Sequence, residues 1–522
     1  MVLSNISLKN TWDNFQLNDA DIEYIYAYLL EKETPLTASE LLEAVIINRI
    51  KKEKELIIKK THGKGRIFLP KDSYELKEEL VFPAFGWKNG KVIEIREGFN
   101  PELEDFKVIK VQFDNGEIKE LACELTEHVL NTPVDLIGED PAFDKERILA
   151  EHQADFLERI ETALSQNDDL VQIAGAWFPR ALLVDINGGY LNLIEAILEE
   201  ANGGPLTTKD LMQQIELNTI DNQKLAEFSL NLAMQEDERY DEVGPSGEVL
   251  WYLHSMEPED VKKVPLFLQY KEIPVNNLEV KKYLDLFEGT IADELEANEP
   301  KNSNPSVTIS LLYPHWRAGT LPLSNTIAHV FPTALESPRV RFSFRDEDTD
   351  EVFNGWVVRK QGYVYGLHDW FEKKGLIPGS LITVQKTSKL GEILIRSEKS
   401  RQNKEWIKTV LVGADKGIVF AMLKHPIEAS FNERMSIAVP DVEALDTVWK
   451  EREKFNPEKI FLQIGRELAK LNPQGHIHAQ EMYAAVNVIF RCPPSPVLNF
   501  LLTSPAIQHL GDLYFHLKEG EG

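Results

Sequence analysis

The sequence predicts a multidomain α+β chain in which one small helical unit is used three times and separated by β-rich modules. Three observations predict it. The segments PLTASELLEAV from Pro35, PLTTKDLMQQI from Pro205 and HIHAQEMYAAV from His476 align without gaps. They begin 170 and 271 residues apart, so one unit is reused between other modules and no solenoid of fixed period is formed. The intervening stretches alternate short apolar runs with turn signals, among them Asn89-Gly90 and Asn115-Gly116. Finally, the polar segment EANEPKNSNPS near residues 296–306 has the composition of a domain boundary. A chain of 522 residues, 43% hydrophobic and 9% aromatic, has material for roughly three to five cores of its own.

Each repeated element has a local cause. A polar residue stands where a helix would start, at Thr37, Thr207 and His478, with an acid three residues later at Glu40, Asp210 and Glu481. The first two are capping-box-like starts, whereas His478 is a weaker cap. Apolar residues follow at helical spacing: Leu41, Leu42 and Val45, then Leu211, Met212 and Ile215, then Met482, Tyr483 and Val486. Before each copy lies another amphipathic stretch, IYAYLLEKET, LIEAILEEANGG or IGRELAKLNPQG, so the unit reads helix, tight turn, helix. KLAEFSLNLAMQ and SPVLNFLLTS supply a third helix to the second and third copies. RYDEVGPSGEVLWYL and AIQHLGDLYFHL then read as hairpins with Gly244 and Gly511 at their turns, which is a wing. GKGRIFLP reads as a shorter wing for the first copy. Three winged helices are therefore expected. The units resemble the HARE-HTH domain of chromatin-associated proteins and of the acidic delta subunit of bacterial RNA polymerase. That resemblance implies transcription-linked contacts with DNA or polymerase; a generic three-helix core used for protein contacts is the competing reading.

Charge separates the copies. The formal charge of −28 opposes nonspecific wrapping of nucleic acid unless positive charge is concentrated locally. From Arg49 to Lys71 nine basic residues face two acids, net +7, over the end of the second helix and the expected wing. Arg49, Lys51, Lys52, Lys54, Lys59, Lys60, Lys64 and Arg66 are accordingly the candidate DNA contacts, a solvated helix face being the alternative. Residues 191–258 carry three bases against fourteen acids, net −11, and are expected to meet protein. The third copy, near neutral with Arg466, Lys470 and Arg491 beside its helices, is expected to pack against protein.

Between the copies, residues 73–131 read as an SH3-like or Tudor-like barrel, whose aromatics Tyr74, Phe82, Phe85 and Trp87 form either its core or a peptide or methyl-lysine groove. Apolar residues Ile148, Phe156, Ile160 and Leu164 predict an amphipathic helix over 143–166, and VQIAGAWFPRALLVDI predicts a strand pair. NNLEVKKYLDLFEGTIADEL predicts a further helix. From residue 305 the order is strand, exposed loop, helix near Ser324, two strands, loop, helix and two strands. With the LPLSNTIAHVFP segment, the acidic hairpin at Asp346 to Asp350 and the GLIPGSLITV step before GEILI, this resembles the pseudobarrel of plant auxin-response-type transcription factors, also used as a DNA-sensing lobe in some restriction endonucleases. The resemblance implies two groove-straddling loops, Pro314 to Thr320 with His315, Trp316 and Arg317, and Arg359 to Gly362 with Arg359 and Lys360. Residues 359–424 carry thirteen bases against six acids, net +7. The expected division is a basic winged helix at 1–72, the barrel at 73–131, a connector at 132–190, an acidic winged helix at 191–258 and a helical connector and linker at 259–304. The pseudobarrel at 305–400, an α/β extension at 401–456 and a winged helix at 457–522 complete it.

No catalytic, cofactor or metal-binding pattern stands out. THGKGR and VGADKG lack phosphate-loop spacing, His476 and His478 have no accompanying ligand set, and GxSxG and HExxH do not occur. Glu117, Ile118 and Lys119 with Asp105 and Asp114 form the one nuclease-like carboxylate and lysine set, a pattern that a half-exposed strand also produces. The two cysteines, Cys123 and Cys492, exclude a zinc site built from cysteine and fit a reducing compartment. No apolar run approaches the ~20 residues of a membrane span, and the N-terminus has no leader pattern, so a cytoplasmic protein, nucleoid-associated if bacterial, is expected. The expected function is a non-enzymatic DNA-binding transcription or chromatin regulator. Its partners would be double-stranded DNA and proteins such as RNA polymerase or chromatin-type factors, with no membrane and no cofactor. A protein-interaction scaffold without DNA binding, and a metal-dependent nuclease or defence component, are the alternatives.

Overall fold

In a computed structural model, residues 12, 15–61, 65–85, 88–100, 106–131, 143–217, 222–296, 304–414, 417–454 and 456–518 are described. The chain is mixed α and β and divides into two units, Met1–Leu183 and Val184–Gly522.

The first unit opens with α1 (Asp19–Lys32), the two-residue strand β1 (Leu36–Thr37) and α2 (Ala38–Thr61). Asn18 caps α1 reciprocally with Asp21, its side chain accepting from the Asp21 amide at 3.1 Å and its own amide donating back at 3.0 Å. Thr37 and Glu40 do the same at α2, at 3.3 and 2.8 Å. Beyond α2 the chain forms a five-stranded sheet, β2 (Arg66–Ile67), β3 (Glu79–Phe82), β4 (Lys88–Glu97), β5 (Lys107–Phe113) and β6 (Ile118–Cys123), ordered β2-β3-β4-β5-β6. It then returns as α3 (Lys145–Ser165), β7 (Leu170–Ile173) and β8 (Ala176–Pro179), and β1 pairs with β8, Leu36 opposite Trp177. Helix α3 buries Ile148, Phe156, Ile160 and Leu164, the face its periodicity predicts.

Two expectations are corrected here. GKGRIFLP is not a wing: Arg66–Ile67 pairs parallel with β3 and belongs to the five-stranded sheet. The third helix and hairpin of the first copy come instead from 145–179, read as connector, so the sheet is inserted between the second and third helices of that copy. A strand signal names no partner, and this partner lies more than a hundred residues away. Asn89-Gly90 is not a turn either, because both residues lie inside β4. Gly90 sits opposite Phe113, and a Cβ there would stand 2.5 Å from Val111 Cγ1, so the glycine serves close packing. Asn115-Gly116 does turn the chain from β5 to β6, with Gly116 at φ +80° and its amide donating to the Phe113 carbonyl at 2.8 Å. Tyr74 and Phe82 belong to the core around this sheet, with Phe85 half-buried against it; Trp87 lies outside the described residues.

The second unit begins with α4 (Gly188–Glu200), β9 (Leu206–Thr207), α5 (Thr208–Gln214), α6 (Gln223–Gln235), β10 (Tyr240–Glu242) and β11 (Leu250–Leu253), with strand order β10-β11-β9. Leu206 stands opposite Trp251 as Leu36 does opposite Trp177. Short helices α7 (Glu259–Lys262) and α8 (Val280–Leu284) follow, the latter being all that forms of the helix expected over 276–295. Next come β12 (Ser306–Ser310), α9 (Tyr313–Ala318), β13 (Thr320–Pro322), β14 (Arg339–Asp346), β15 (Val352–Val358), β16 (Tyr363–Tyr365), α10 (His368–Lys373), β17 (Leu381–Lys386) and β18 (Glu392–Ser397). These seven strands curl into a half-barrel ordered β12-β17-β18-β14-β15-β16-β13. The expected exposed loop at 314–320 is helix α9, because Pro314 sits in its first turn and Gly319 closes it at φ +64°. The helix expected near Ser324 is a single turn, Ala328–Val330.

A long hairpin, β19 (Lys399–Val412) and β20 (Ile418–Ala429), with β21 (Ile437–Ala438) and α11 (Val442–Lys450), leads to the third copy. That copy is α12 (Pro457–Leu471), β22 (His476–His478), α13 (Ala479–Asn487), α14 (Pro494–Thr503), β23 (Ile507–Gly511) and β24 (Tyr514–Leu517), ordered β22-β24-β23. Ile477 stands opposite Phe515, the third instance of an aliphatic residue facing an aromatic one at the same place. The segment near 296–306 does not separate the units, which divide at Leu183 and Val184; Asp293, Glu294 and Glu296 on its near side bond into the third copy.

Candidate functional site

The candidate DNA contacts do not converge. In the first unit Arg49 is held inward: its guanidinium pairs with Asp21 and stacks on Phe15 at 4.6 Å. Arg66 pairs with Asp72 at 2.7 Å, and Lys54 lies over the Phe143 ring at 5.6 Å. Lys51 and Lys52 are exposed on α2, while Lys64 and the side chains of Lys59 and Lys60 lie outside the described residues. In the second unit the expected groove loop is corrected to an interior element. His315 is fully buried, its Nδ1 2.9 Å from Thr320 Oγ1 and its Nε2 2.9 Å from Glu294. Trp316 donates its indole N–H to the Leu376 carbonyl at 2.8 Å, and Arg317 forms a forked pair with Asp446 at 2.7 and 3.2 Å. Tyr313 on the same short helix packs in the core of the third copy, and Asp446, the Arg317 partner, lies on α11. Arg359 and Lys360 are exposed at the β15–β16 turn, where Arg359 donates to the Ser337 carbonyl at 2.7 Å.

The third helix of each copy decides what a helix-turn-helix surface can do, because the second of the paired helices is the one that enters a groove. Helix α3 carries five acids against three bases, and Lys145, Arg147 and Arg159 are paired with Glu43, Glu151 and Asp155 at 2.6, 2.8 and 2.9 Å. Helix α6 carries Lys224 and Glu227 alone and buries Phe228, Leu230 and Met234. Helix α14 has no charged residue and is mostly core. Arg147 on α3 and Lys224 on α6 are the exposed bases of the three helices.

Polar residues instead gather at three places, the first two buried and the third half-buried. The largest joins Asp293 and Glu294 to the third copy. Arg491, 1% exposed, donates to Asp293 at 2.5 Å, to Asn487 at 3.1 Å and to the Cys492 carbonyl at 3.3 Å, with Glu294 at 3.0 Å. Tyr483 donates its hydroxyl to the other Asp293 oxygen at 2.5 Å. Burial pushes the Glu294 carboxyl upward, but the guanidinium of Arg491 and the ring of His315 outweigh it and hold it below the ordinary carboxylate range. The second place is the foot of the third copy, where the buried Lys408 ammonium donates to Glu481 at 3.0 Å and to the carbonyls of Glu433 and Arg434. Burial, Arg434 and Lys408 together hold the His478 ring down at about 3, so it stays neutral and its Nδ1 accepts from the Gln480 amide at the start of α13. His476 and His478 are thus packing and capping residues.

At the third place Asp241, His254 and Glu257 bring their ligand atoms within 4.8 Å of one another. Arg339 from β14 stands among them, 2.8 Å from Asp241 and 2.9 Å from Glu257, so a cation would have to displace its guanidinium. Burial and the neighbouring Asp241 carboxylate push the Glu257 carboxyl up to about 8, against the pull of Arg339. This cluster ties the second copy to the half-barrel, alongside the Arg341 amide bond to the Val243 carbonyl at 2.8 Å. Glu117 is exposed at a hairpin and engaged by Asn115, Lys119 and Lys88, which lower its carboxyl, and Asp105 lies outside the described residues.

Compared with protein-family models, curated proteins and solved structures, the chain matches none. Sequence reasoning missed the buried centre. Its one signal was Arg491 standing in the apolar run AAVNVIFRC, where a charge needs a partner.

Proposed function

We propose that the chain is a non-enzymatic interaction protein in which three winged-helix units act as packing and protein-contact modules. The observation that carries this reading is the charge state of the three third helices: α3 is net acidic with its bases paired, and α6 and α14 are largely buried. The winged-helix assignment rests on an order repeated three times, helix, short strand, helix, helix, hairpin, with the second hairpin strand pairing back onto the short strand. On this reading the small five-stranded sheet is an SH3-like insertion in the first winged helix, and the acidity of residues 191–258 presents a surface for basic protein partners. A second reading, DNA contact through the first unit, is favoured by exposed Lys51 and Lys52 on the 24-residue α2 and by Arg359 and Lys360 on the half-barrel.

Fluorescence anisotropy with a duplex at 50 and 200 mM salt separates the two. The interaction-protein reading expects no binding beyond the weak nonspecific range of about 10⁻⁴–10⁻⁶ M. Tighter binding that falls steeply with salt, and that K51E/K52E abolishes, would replace it with the second reading.

A further inference from the structure

The second unit contains a cleft of about 300 Å³ between the tip of the β10–β11 hairpin and one end of the half-barrel. One wall is Pro245 and Ser246, and the other is made by residues 329–333 and the β17–β18 loop, residues 386–393. Its lining has two chemical characters. Pro332, half-buried, gives it apolar surface, Phe331 and Pro245 lie buried within the walls, and Leu390 stands at the same loop 58% exposed, a large apolar side chain left in water. Lys386 and Lys389 supply positive charge and are both exposed. Among the described lining residues Glu392 is the one carboxylate, and it is already matched: Arg345 stands 2.7 Å away and Lys389 3.3 Å, the Arg345 hydrogen bond first among the causes that lower its carboxyl. Two lining lysines against one lining acid leave an excess of positive charge at the cleft.

The site is also held in shape. Thr387 donates its hydroxyl to the Glu392 carbonyl at 2.9 Å, Gly391 takes a left-handed turn at φ +69°, and the Ser246 amide donates to the Thr333 carbonyl at 2.6 Å. A volume near 300 Å³ lies at the small end of ligand pockets, enough for one ring and one charged group.

We propose that this cleft binds a small organic anion, with a ring or short apolar body against Pro332 and Leu390 and a carboxylate or phosphate toward Lys386 and Lys389. A ligand that touches both walls stabilises the seam between the second copy and the half-barrel by mass action. The cleft is independent of the interaction-protein reading and stands or falls alone.

The test is isothermal titration of the full chain with phenyl phosphate and with benzoate, beside inorganic phosphate and benzyl alcohol. One saturable site is expected for phenyl phosphate or benzoate, the stronger of the two fixing the headgroup, with inorganic phosphate and benzyl alcohol each at least about tenfold weaker. K386Q/K389Q should weaken binding by at least about tenfold while leaving the melting temperature of the free chain unchanged, because both lysines are exposed. Leu390→Ala, which removes the exposed apolar side chain from the lining, should weaken it independently of charge. Absence of saturation up to about 10 mM, affinity unchanged in the double lysine variant, or benzyl alcohol binding as well as benzoate would each overturn the proposal.

Discussion

Arg491→Met tests whether the interior of the second unit is held by charge or only filled by it. The guanidinium is 1% exposed and satisfies Asp293, Glu294, Asn487 and the Cys492 carbonyl, while Tyr483 and His315 complete the two carboxylates. Methionine keeps most of the aliphatic volume, so a packing loss accounts for less than about 1.5 kcal/mol. What remains is two carboxylates buried without their cation, and breaking a buried pair from one side costs about 3–5 kcal/mol. The balance therefore belongs to the orphaned charge. Urea denaturation of the full chain followed by tryptophan fluorescence should show the second unit's transition moving to lower urea by that amount. The triple variant R491M/D293N/E294Q removes the orphaned charges as well and should recover most of the loss, since neutral replacements of a buried ion group are tolerated. An Arg491→Met chain within about 1 kcal/mol of the parent would refute the reasoning, as would a triple variant weaker than the single one.

Two further outcomes follow from titration and one from packing. Glu294 has a folded pKa below its unfolded value of 4.5, so its contribution is complete above that pH and lost as pH falls below it; urea midpoints taken from pH 6 to pH 3 should drop less in Glu294→Gln than in the parent. Glu257 runs the opposite way, raised from 4.5 to about 8, so folding penalises its ionised form and the penalty grows as pH climbs through that interval. Glu257→Gln should gain stability over the parent between pH 5 and pH 9 in the same assay, and a gain that shrinks with pH would contradict the assignment. Gly90→Ala should destabilise the first unit by roughly 1–3 kcal/mol, because its Cβ would meet Val111 at 2.5 Å in a strand already paired on both sides; a neutral result in thermal denaturation would return Gly90 to the role of a turn residue.

Much of the local structure was legible because it is local. Thr37 with Glu40 and Thr207 with Asp210 cap helices through bonds spanning three residues, and the face of α3 is set by four apolar residues on a 3.6-residue period. The misreadings share a physical origin in non-local pairing. Arg66–Ile67 looked like half of a wing because its alternation is that of any short strand, yet its partner is Glu79–Phe82; the strand that pairs with Leu36–Thr37 is Ala176–Pro179, beyond the five-stranded sheet. His315, Trp316 and Arg317 looked like an exposed recognition loop because each is polar or amphipathic. Their partners Glu294, Leu376 and Asp446 lie 21 to 129 residues away, and without them burial could not be foreseen.

Charge counted along the chain misled for a related reason. The +7 over residues 49–71 is a sum over side chains that the fold treats differently: Arg49 turns inward to Asp21 and Lys54 lies over an aromatic ring, while Lys51, Lys52, Lys71 and Arg66, the last paired with Asp72, are exposed among the described side chains. On the winged-helix reading proposed above, the third helix of that copy is α3, which begins only at Lys145 and is net acidic. An electrostatic footprint is a property of a folded face, so insertion of a sheet between the second and third helices separates the basic stretch from the helix that would have used it. The second and third copies lack even the basic stretch, and they spend their third helices on interior packing against their own unit. On the interaction-protein reading proposed above, the second copy is joined to the half-barrel by the half-buried Arg339–Asp241 pair, and the third to the segment before residue 297 by the buried pairs of Arg491 with Asp293 and Glu294.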